Sequence, residues 1–209
     1  MHTIILKINK NKPEAEKLRQ AAEVLKSGGV IVIPTDTVYG LAAGAFSAQA
    51  QKKIYSLKGR SFRKPLILMP PEVNSLGLLA EIPEKAGKLI KKFWPGPLTL
   101  VLSTTELGRI VSGGRTDIGS RIPDSKIVLS LLKFCGFPIL TTSANSSGRR
   151  SAKTGGEAAK YFKGKVELII DCGECGTGRE STVVDVRHFP GTVIREGCLP
   201  KQDILKCVS

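Results

Sequence analysis

Apolar positions recur along this chain with two different periods, and their alternation predicts a mixed α/β architecture. Ile4 to Ile8 reads as a first strand, and from Pro13 to Lys26 the apolar positions Leu18, Ala21, Ala22 and Leu25 fall on one helix face. Pro13 suits the opening turn of that helix and Gly28 its end. Val30-Ile31-Val32-Ile33, bounded by Gly29 and Pro34, shows no polar alternation, the pattern of a strand covered on both faces. Ser47 to Lys58 is predicted helical, with Ile54 and Leu57 inward and Lys52, Lys53 and Lys58 in water. Leu66 to Met69 is a buried strand stopped by Pro70-Pro71. Pro83 to Phe93 follows as a helix with Lys85, Lys88 and Lys92 on a solvated side. Strands are expected at Leu98 to Leu102 and Ile118 to Ile122, and Asp124 is expected to cap a helix running to Phe134 with Ile127, Val128, Leu131 and Leu132 as its core face. A short strand at Pro138 to Leu140, a helix near Glu157 to Phe162, and strands at Glu167 to Ile170, Thr182 to Val186 and Thr192 to Ile194 complete the series. No internal repeat or linker is visible, so the expectation is one α/β (α+β) domain over residues 1–209, a mixed sheet flanked by helices.

Composition adds little to this until charge is counted. An apolar fraction of 41% and a charged fraction of 24% are ordinary for a folded soluble chain. No apolar run approaches the roughly 18 residues that span a bilayer, and the amino terminus lacks a signal peptide's apolar core; the expectation is a cytoplasmic protein with no membrane association. The 32 Lys and Arg against 18 Asp and Glu give a net charge of +14, which favours a polyanionic partner such as a nucleotide or RNA. Five cysteines, odd in number and irregular in spacing, do not suggest a secreted disulfide framework, and Cys172-Gly-Glu-Cys175 is the one metal-like or redox-like pair.

Three stretches carry candidate chemistry. Thr35-Asp36-Thr37-Val38-Tyr39 follows a buried strand, where α/β sheets collect ligands at strand carboxyl ends, although a strand followed by an Asx or Thr turn has the same composition. Between Lys52 and Lys64 lie six positive residues and no negative one, and Lys58-Gly59-Arg60 offers an open backbone, a compact cation and a planar fork to an anion; an exposed helix end would read the same way. Thr141 to Gly148 sets five hydroxyls and Asn145 directly after a strand, with Arg149, Arg150 and Lys153 next, a set suited to a triphosphate and equally to an ordinary loop. Ser181-Thr182-Val183-Val184-Asp185 and Arg195-Glu196-Gly197 repeat the pairing of hydroxyl and arginine. There is no Walker A pattern, no Gly-x-Gly-x-x-Gly after a strand, and only His2 and His188, which argues against a histidine-based nucleophile and for catalysis by positioning and positive charge.

Taken in order, Pro34-Thr35-Asp36-Thr37-Val38-Tyr39-Gly40-Leu41, Lys58-Gly59-Arg60, Pro65-Leu66-Ile67, Trp94-Pro95-Gly96-Pro97-Leu98-Thr99, Arg121-Ile122-Pro123, Thr142-Ser143-Ala144-Asn145-Ser146-Ser147-Gly148, Ser181-Thr182-Val183-Val184-Asp185 and Arg195-Glu196-Gly197 resemble the YrdC family of threonylcarbamoyl-AMP synthases over about residues 20 to 200. The resemblance is to the short, single-domain form. It implies a twisted mixed sheet around a deep basic cavity, distantly akin to a riboflavin-pathway synthase fold. It also implies a reaction: L-threonine, bicarbonate and ATP give threonylcarbamoyl-AMP and pyrophosphate, and a downstream transferase passes the group to adenosine beside the anticodon of tRNA. By matching position, Thr37, Arg121, Thr141 and Ser181 would hold L-threonine, and Lys58, Arg60, Lys64, Ser143, Asn145, Ser151 and Arg195 would hold ATP, with Lys58, Arg60 and Arg195 countering charge as pyrophosphate leaves. Mg2+ would ride on the phosphates, with no metal site of the protein's own. Three positions depart from the family pattern: Lys64 for Asn, Met69 for His, and Asp117 for Thr, the last repelling phosphate unless magnesium or an arginine compensates. The competing expectation is a non-catalytic module that binds tRNA or double-stranded RNA through the same basic cavity.

Overall fold

The β-branched run between Gly29 and Pro34 is indeed a strand buried on both faces: Val30 and Val32 join one apolar cluster, and Ile31 and Ile33 the other. Around it the computed structural model, which describes residues 1–208, arranges one mixed sheet. In chain order the strands are β1 (Ile4–Lys7), β2 (Val30–Pro34), β3 (Tyr39–Gly44), β4 (Ile67–Met69), β5 (Ala80–Glu81), β6 (Leu98–Thr104), β7 (Asp117–Ser120), β8 (Ile139–Ser143), β9 (Leu168–Asp171), β10 (Thr182–Asp185) and β11 (Thr192–Arg195). The helices are α1 (Ala15–Lys26), α2 (Ala48–Lys58), α3 (Val73–Leu76), α4 (Gly87–Phe93, entered through a 3-10 turn), α5 (Glu106–Val111), α6 (Lys126–Cys135), α7 (Gly155–Phe162) and α8 (Lys201–Val208).

The strand order is β1-β9-β2-β3-β8-β4-β7-β6-β10-β11, with β5 beside β6. β9 runs parallel to both β1 and β2, β7 to β4, and β10 to β6; the other pairings are antiparallel. On one face α1 and α6 pack through Leu18, Ala21, Leu25, Val128, Leu131 and Leu132, the positions their periodicity marked. On the other, α2 and α7 contribute Ile54 and Phe162 to a cluster with Leu41, Leu68 and Leu100. Among the described residues no helix is long and apolar enough to cross a membrane.

Four expectations change. The chain after β2 does not stop at a turn: Pro34 pairs with Tyr39, and β2 and β3 form an antiparallel hairpin whose second strand, Tyr-Gly-Leu-Ala-Ala-Gly, has small residues where β-branched ones would have announced it. The α6 cap is Ser125, whose hydroxyl accepts from the Val128 amide at 3.4 Å, in place of Asp124. β8 runs on through Thr141, Thr142 and Ser143, because β3 offers Ala42, Leu41 and Gly40 as partners in register. Lys58 is buried instead of solvated, for a reason given by its neighbours below.

Candidate functional site

The β2–β3 turn is built by hydroxyls. Thr35 Oγ1 accepts from the Thr37 amide at 3.1 Å, donates to the Val38 carbonyl at 2.6 Å and lies 2.9 Å from Thr37 Oγ1. A loop following β9 clamps the outside of the turn: the Thr177 and Gly178 amides donate to the Asp36 and Thr37 carbonyls at 3.1 and 2.9 Å. Gly176 sits at φ 45° so close beneath that a Cβ there would lie 2.1 Å from the Asp36 carbonyl oxygen. The Asp36 side chain accepts no hydrogen bond within this turn.

Its carboxylate instead faces Arg121. Oδ1 lies 3.1 Å from Arg121 Nη1, with the guanidinium and carboxylate side chains only 4% and 10% exposed. The two groups are in ionic contact but poorly aligned. Both Asp36 oxygens and Arg121 Nε and Nη1 lack a hydrogen-bond partner among the described residues. Arg121 Nη2 donates to Thr37 Oγ1 at 3.3 Å. Burial lowers the Arg121 value below the ordinary guanidinium range, against the pull of Asp36. A buried cation with two unfilled donors is costly to maintain and is primed for an incoming anion.

Arg121, Thr35, Thr37 and Tyr39 line a cavity of about 130 Å³. Its floor is Gly40 of β3, Ile67 and Met69 of β4, and Thr141 to Ser143 of β8; Arg60, Ser181, Glu180 and Arg195 complete the wall. The site thus lies against interior strands of the sheet as well as at the carboxyl end of β2. Ser181 and Thr99 hydroxyls pair at 2.8 Å, and Arg195 Nη2 donates to the Ser181 carbonyl at 2.9 Å. Thr141 donates to the Ile67 carbonyl at 3.3 Å.

A second tier stands behind this wall. α2 ends at Gly59, whose φ of 58° turns the chain away and leaves Lys58 pointing inward. Its ammonium donates to the Ser143 carbonyl, to Ser143 Oγ at 3.4 Å and to Asn145 Oδ1 at 2.9 Å. Three acceptors make its burial tolerable. Burial, with Arg60 nearby, nevertheless pulls Lys58 down to about 8. Ser143 Oγ also donates to Asn145 Oδ1 at 2.7 Å, so Lys58, Ser143 and Asn145 form one network.

Of the positions singled out from sequence, Thr37, Arg60, Arg121, Thr141, Ser143, Ser181 and Arg195 line the cavity directly. Lys58 and Asn145 support it from behind, and Ser151 reaches it through Glu180 at 3.1 Å. Lys64 is exposed, and its carbonyl, not its ammonium, accepts from Arg60 Nε at 3.3 Å. Arg60 Nη2 holds the Pro65 carbonyl at 3.1 Å, and burial lowers the Arg60 value. Met69 lies in the wall as an apolar surface. Asp117 is compensated by arginines, Arg115 at 2.7 Å and Arg187 at 3.6 Å. Asp36 was named within its candidate stretch but given no part in binding, and Glu180 was not singled out; the signal for Glu180 was an acid wedged between Arg179 and Ser181 in an otherwise basic, hydroxyl-rich stretch. Cys172 and Cys175 are free thiols, and among the described residues no group of three or more His, Cys, Asp or Glu is disposed to hold a metal ion.

The Sua5_yciO_yrdC family model, described as "Telomere recombination", matches residues 23–197, which include every strand from β2 to β11. The chain belongs to the Sua5/YciO/YrdC family. It is 42% identical over 208 residues to a threonylcarbamoyl-AMP synthase of Pyrococcus abyssi, covering 99% of this chain and 61% of that one. It is 36% identical to a putative threonylcarbamoyl-AMP synthase of Methanocaldococcus jannaschii, covering 92% and 93% of the two chains. The structure of P. abyssi Sua5 complexed with L-threonine superposes with a TM-score of 0.94 at 42% identity, over 99% of this chain and 61% of that one. This chain thus spans about three fifths of the length of its Pyrococcus relative.

Proposed function

We propose that this chain is an L-threonylcarbamoyladenylate synthase, a nucleotidyltransferase that makes threonylcarbamoyl-AMP and pyrophosphate from ATP, L-threonine and bicarbonate. The observation that carries the reading is Arg121, buried beside the Thr37 hydroxyl and in ionic contact with Asp36, with Nε and Nη1 making no hydrogen bond. A planar fork with free donors suits the carboxylate of an amino acid. Thr37, Thr141 and Ser181 supply hydroxyls around it, and the likeness to a structure holding L-threonine supports the assignment.

In this reading the threonine amine and bicarbonate combine to a carbamate with loss of water. A carbamate oxygen attacks the α-phosphorus of ATP, the bond from that phosphorus to the bridging oxygen breaks, and pyrophosphate leaves with the electron pair. Arg60 and Arg195 stand on the cavity wall as the cations that stabilise the growing phosphate charge. Lys58 fixes Ser143 and Asn145 for the nucleotide. Mg2+ would be carried in on the polyphosphate and would offset part of its charge beside Arg60 and Arg195. The product is passed to a transferase acting on tRNA.

The test is incubation with ATP, L-threonine and bicarbonate, followed by chromatography of the adenylate and assay of pyrophosphate. Threonine-dependent release of both products is expected, and Arg60→Ala is expected to lower turnover about 100-fold. Binding of RNA with no threonine-dependent pyrophosphate would replace the enzyme by the RNA-binding reading.

A further inference from the structure

One carboxylate stands in the wall of this cavity among Arg60, Arg121 and Arg195, and it belongs to Glu180. Its two oxygens are divided between two residues assigned above to ATP. Oε1 accepts from Ser151 Oγ at 3.1 Å, and Oε2 is paired with Arg195 Nη1. Its charge also reaches deeper, raising the values of Lys58 and Arg60 against burial. Glu180 thus contacts or biases four of the groups assigned to a polyphosphate.

Its backbone is fixed. The Cys198 amide donates to the Glu180 carbonyl at 2.9 Å, and Gly197 lies so near that a Cβ there would come within 2.2 Å of that oxygen. Only the side chain is free to rearrange, and at 40% exposed it has solvent to turn into. A fixed carboxylate between phosphate-binding donors would repel a polyphosphate; one that swings aside exchanges one anion for another on the same arginine.

We propose that Glu180 is a positioning residue that serves as an internal stand-in for phosphate: it seats Arg195 and Ser151, yields them when nucleotide enters, and reclaims them as pyrophosphate departs. The proposal rests on the ATP reading above. Removing the charge leaves the arginine without a competitor, so Glu180→Gln binds the released anion more tightly and lets it go more slowly.

The test is calorimetric titration of the full chain with inorganic pyrophosphate alone, alongside steady-state turnover. Glu180→Gln is expected to bind pyrophosphate about fivefold more tightly than the wild type, the scale of one like-charge repulsion at about 4 Å screened as in water, with a lower kcat and a lower KM for ATP. Glu180→Ala, which removes a partly exposed side chain, is expected to tighten pyrophosphate binding similarly while losing more turnover, since Arg195 is then seated only through Ser181. A merely structural role predicts weaker binding in both variants. Equal or weaker pyrophosphate binding in both, with a wild type that binds normally, overturns the role of Glu180 and leaves the ATP site standing. A wild type that binds neither pyrophosphate nor ATP overturns the nucleotide reading, and the Glu180 assignment with it.

Discussion

At the scale of single residues the site is governed by two buried cations with opposite circumstances. Arg121 has an ionic partner but unfilled donors, whereas Lys58 has filled donors and no carboxylate in contact. Replacing Arg121 by Leu would strand the Asp36 carboxylate in a place only 10% exposed, at a cost of about 3–5 kcal/mol in urea unfolding. The double variant Asp36→Asn/Arg121→Leu is expected to regain part of that stability without regaining threonine-dependent turnover, which separates the structural from the binding role. Lys58 makes a prediction in pH. Its folded value near 8 lies below the ordinary 10.5, so between those values the unfolded chain holds a proton that the folded chain lacks, and stability rises with pH. The penalty for burying its charge is complete below pH 8. Against Lys58→Met, the wild type should therefore gain about 2 kcal/mol in relative stability from pH 8 to pH 10; a flat difference would mean the ammonium is not desolvated. Neither circumstance was legible in the sequence, because a lysine at a helix end reads as solvated until its acceptors, Ser143 and Asn145, are known to lie within reach.

At the scale of elements, legibility followed amphipathicity. The buried positions of α1 were all readable, and those of α6 all but Cys135, because their apolar residues recur at helical spacing over ten or more residues. β3 was not, since Tyr39–Gly44 is rich in Gly and Ala and owes its conformation to partners on both sides, β2 and β8. α3, α5 and α8 were also unannounced, the first two being only 4 and 6 residues long. The element to which the proposed function assigns L-threonine is the β2–β3 turn, and the clamp that holds it is the Gly176 to Gly178 loop. Gly176→Ala would drive a methyl into the Asp36 carbonyl at a positive φ. It is expected to cost at least about 1 kcal/mol in stability and to raise KM for L-threonine more than KM for ATP, because it displaces Thr37 while leaving Arg60 and Arg195 in place. Gly136→Ala is the control. It has a positive φ of 73° and open space around its Cβ at the end of α6, away from the cavity, so backbone strain alone should leave the KM ratio unchanged.

For the whole molecule the informative quantity was charge, which the sequence states outright and the fold distributes. A net charge of +14 on 209 residues draws polyanions from beyond contact range, and the cavity concentrates that bias with three arginines against the carboxylate of Glu180. What sequence could not give was the convergence: Arg60, Arg121 and Arg195 are far apart in the chain and meet because β4, β7 and β11 bring their neighbourhoods to one side of the sheet. The two proposed substrates should feel this field differently. ATP arrives as a polyanion, while L-threonine is a zwitterion whose net charge is zero near neutral pH. Raising KCl from about 20 to about 300 mM shortens the screening length from roughly 20 Å to below 8 Å. It should therefore lower kcat/KM for ATP several-fold while changing kcat/KM for L-threonine by less than about twofold at saturating ATP. Steady-state kinetics across that salt range check it. An equal fall for both substrates would place the salt effect on the catalytic step, and a fall for threonine alone would mean that Arg121 and Asp36, not the surface field, are the groups that salt disturbs.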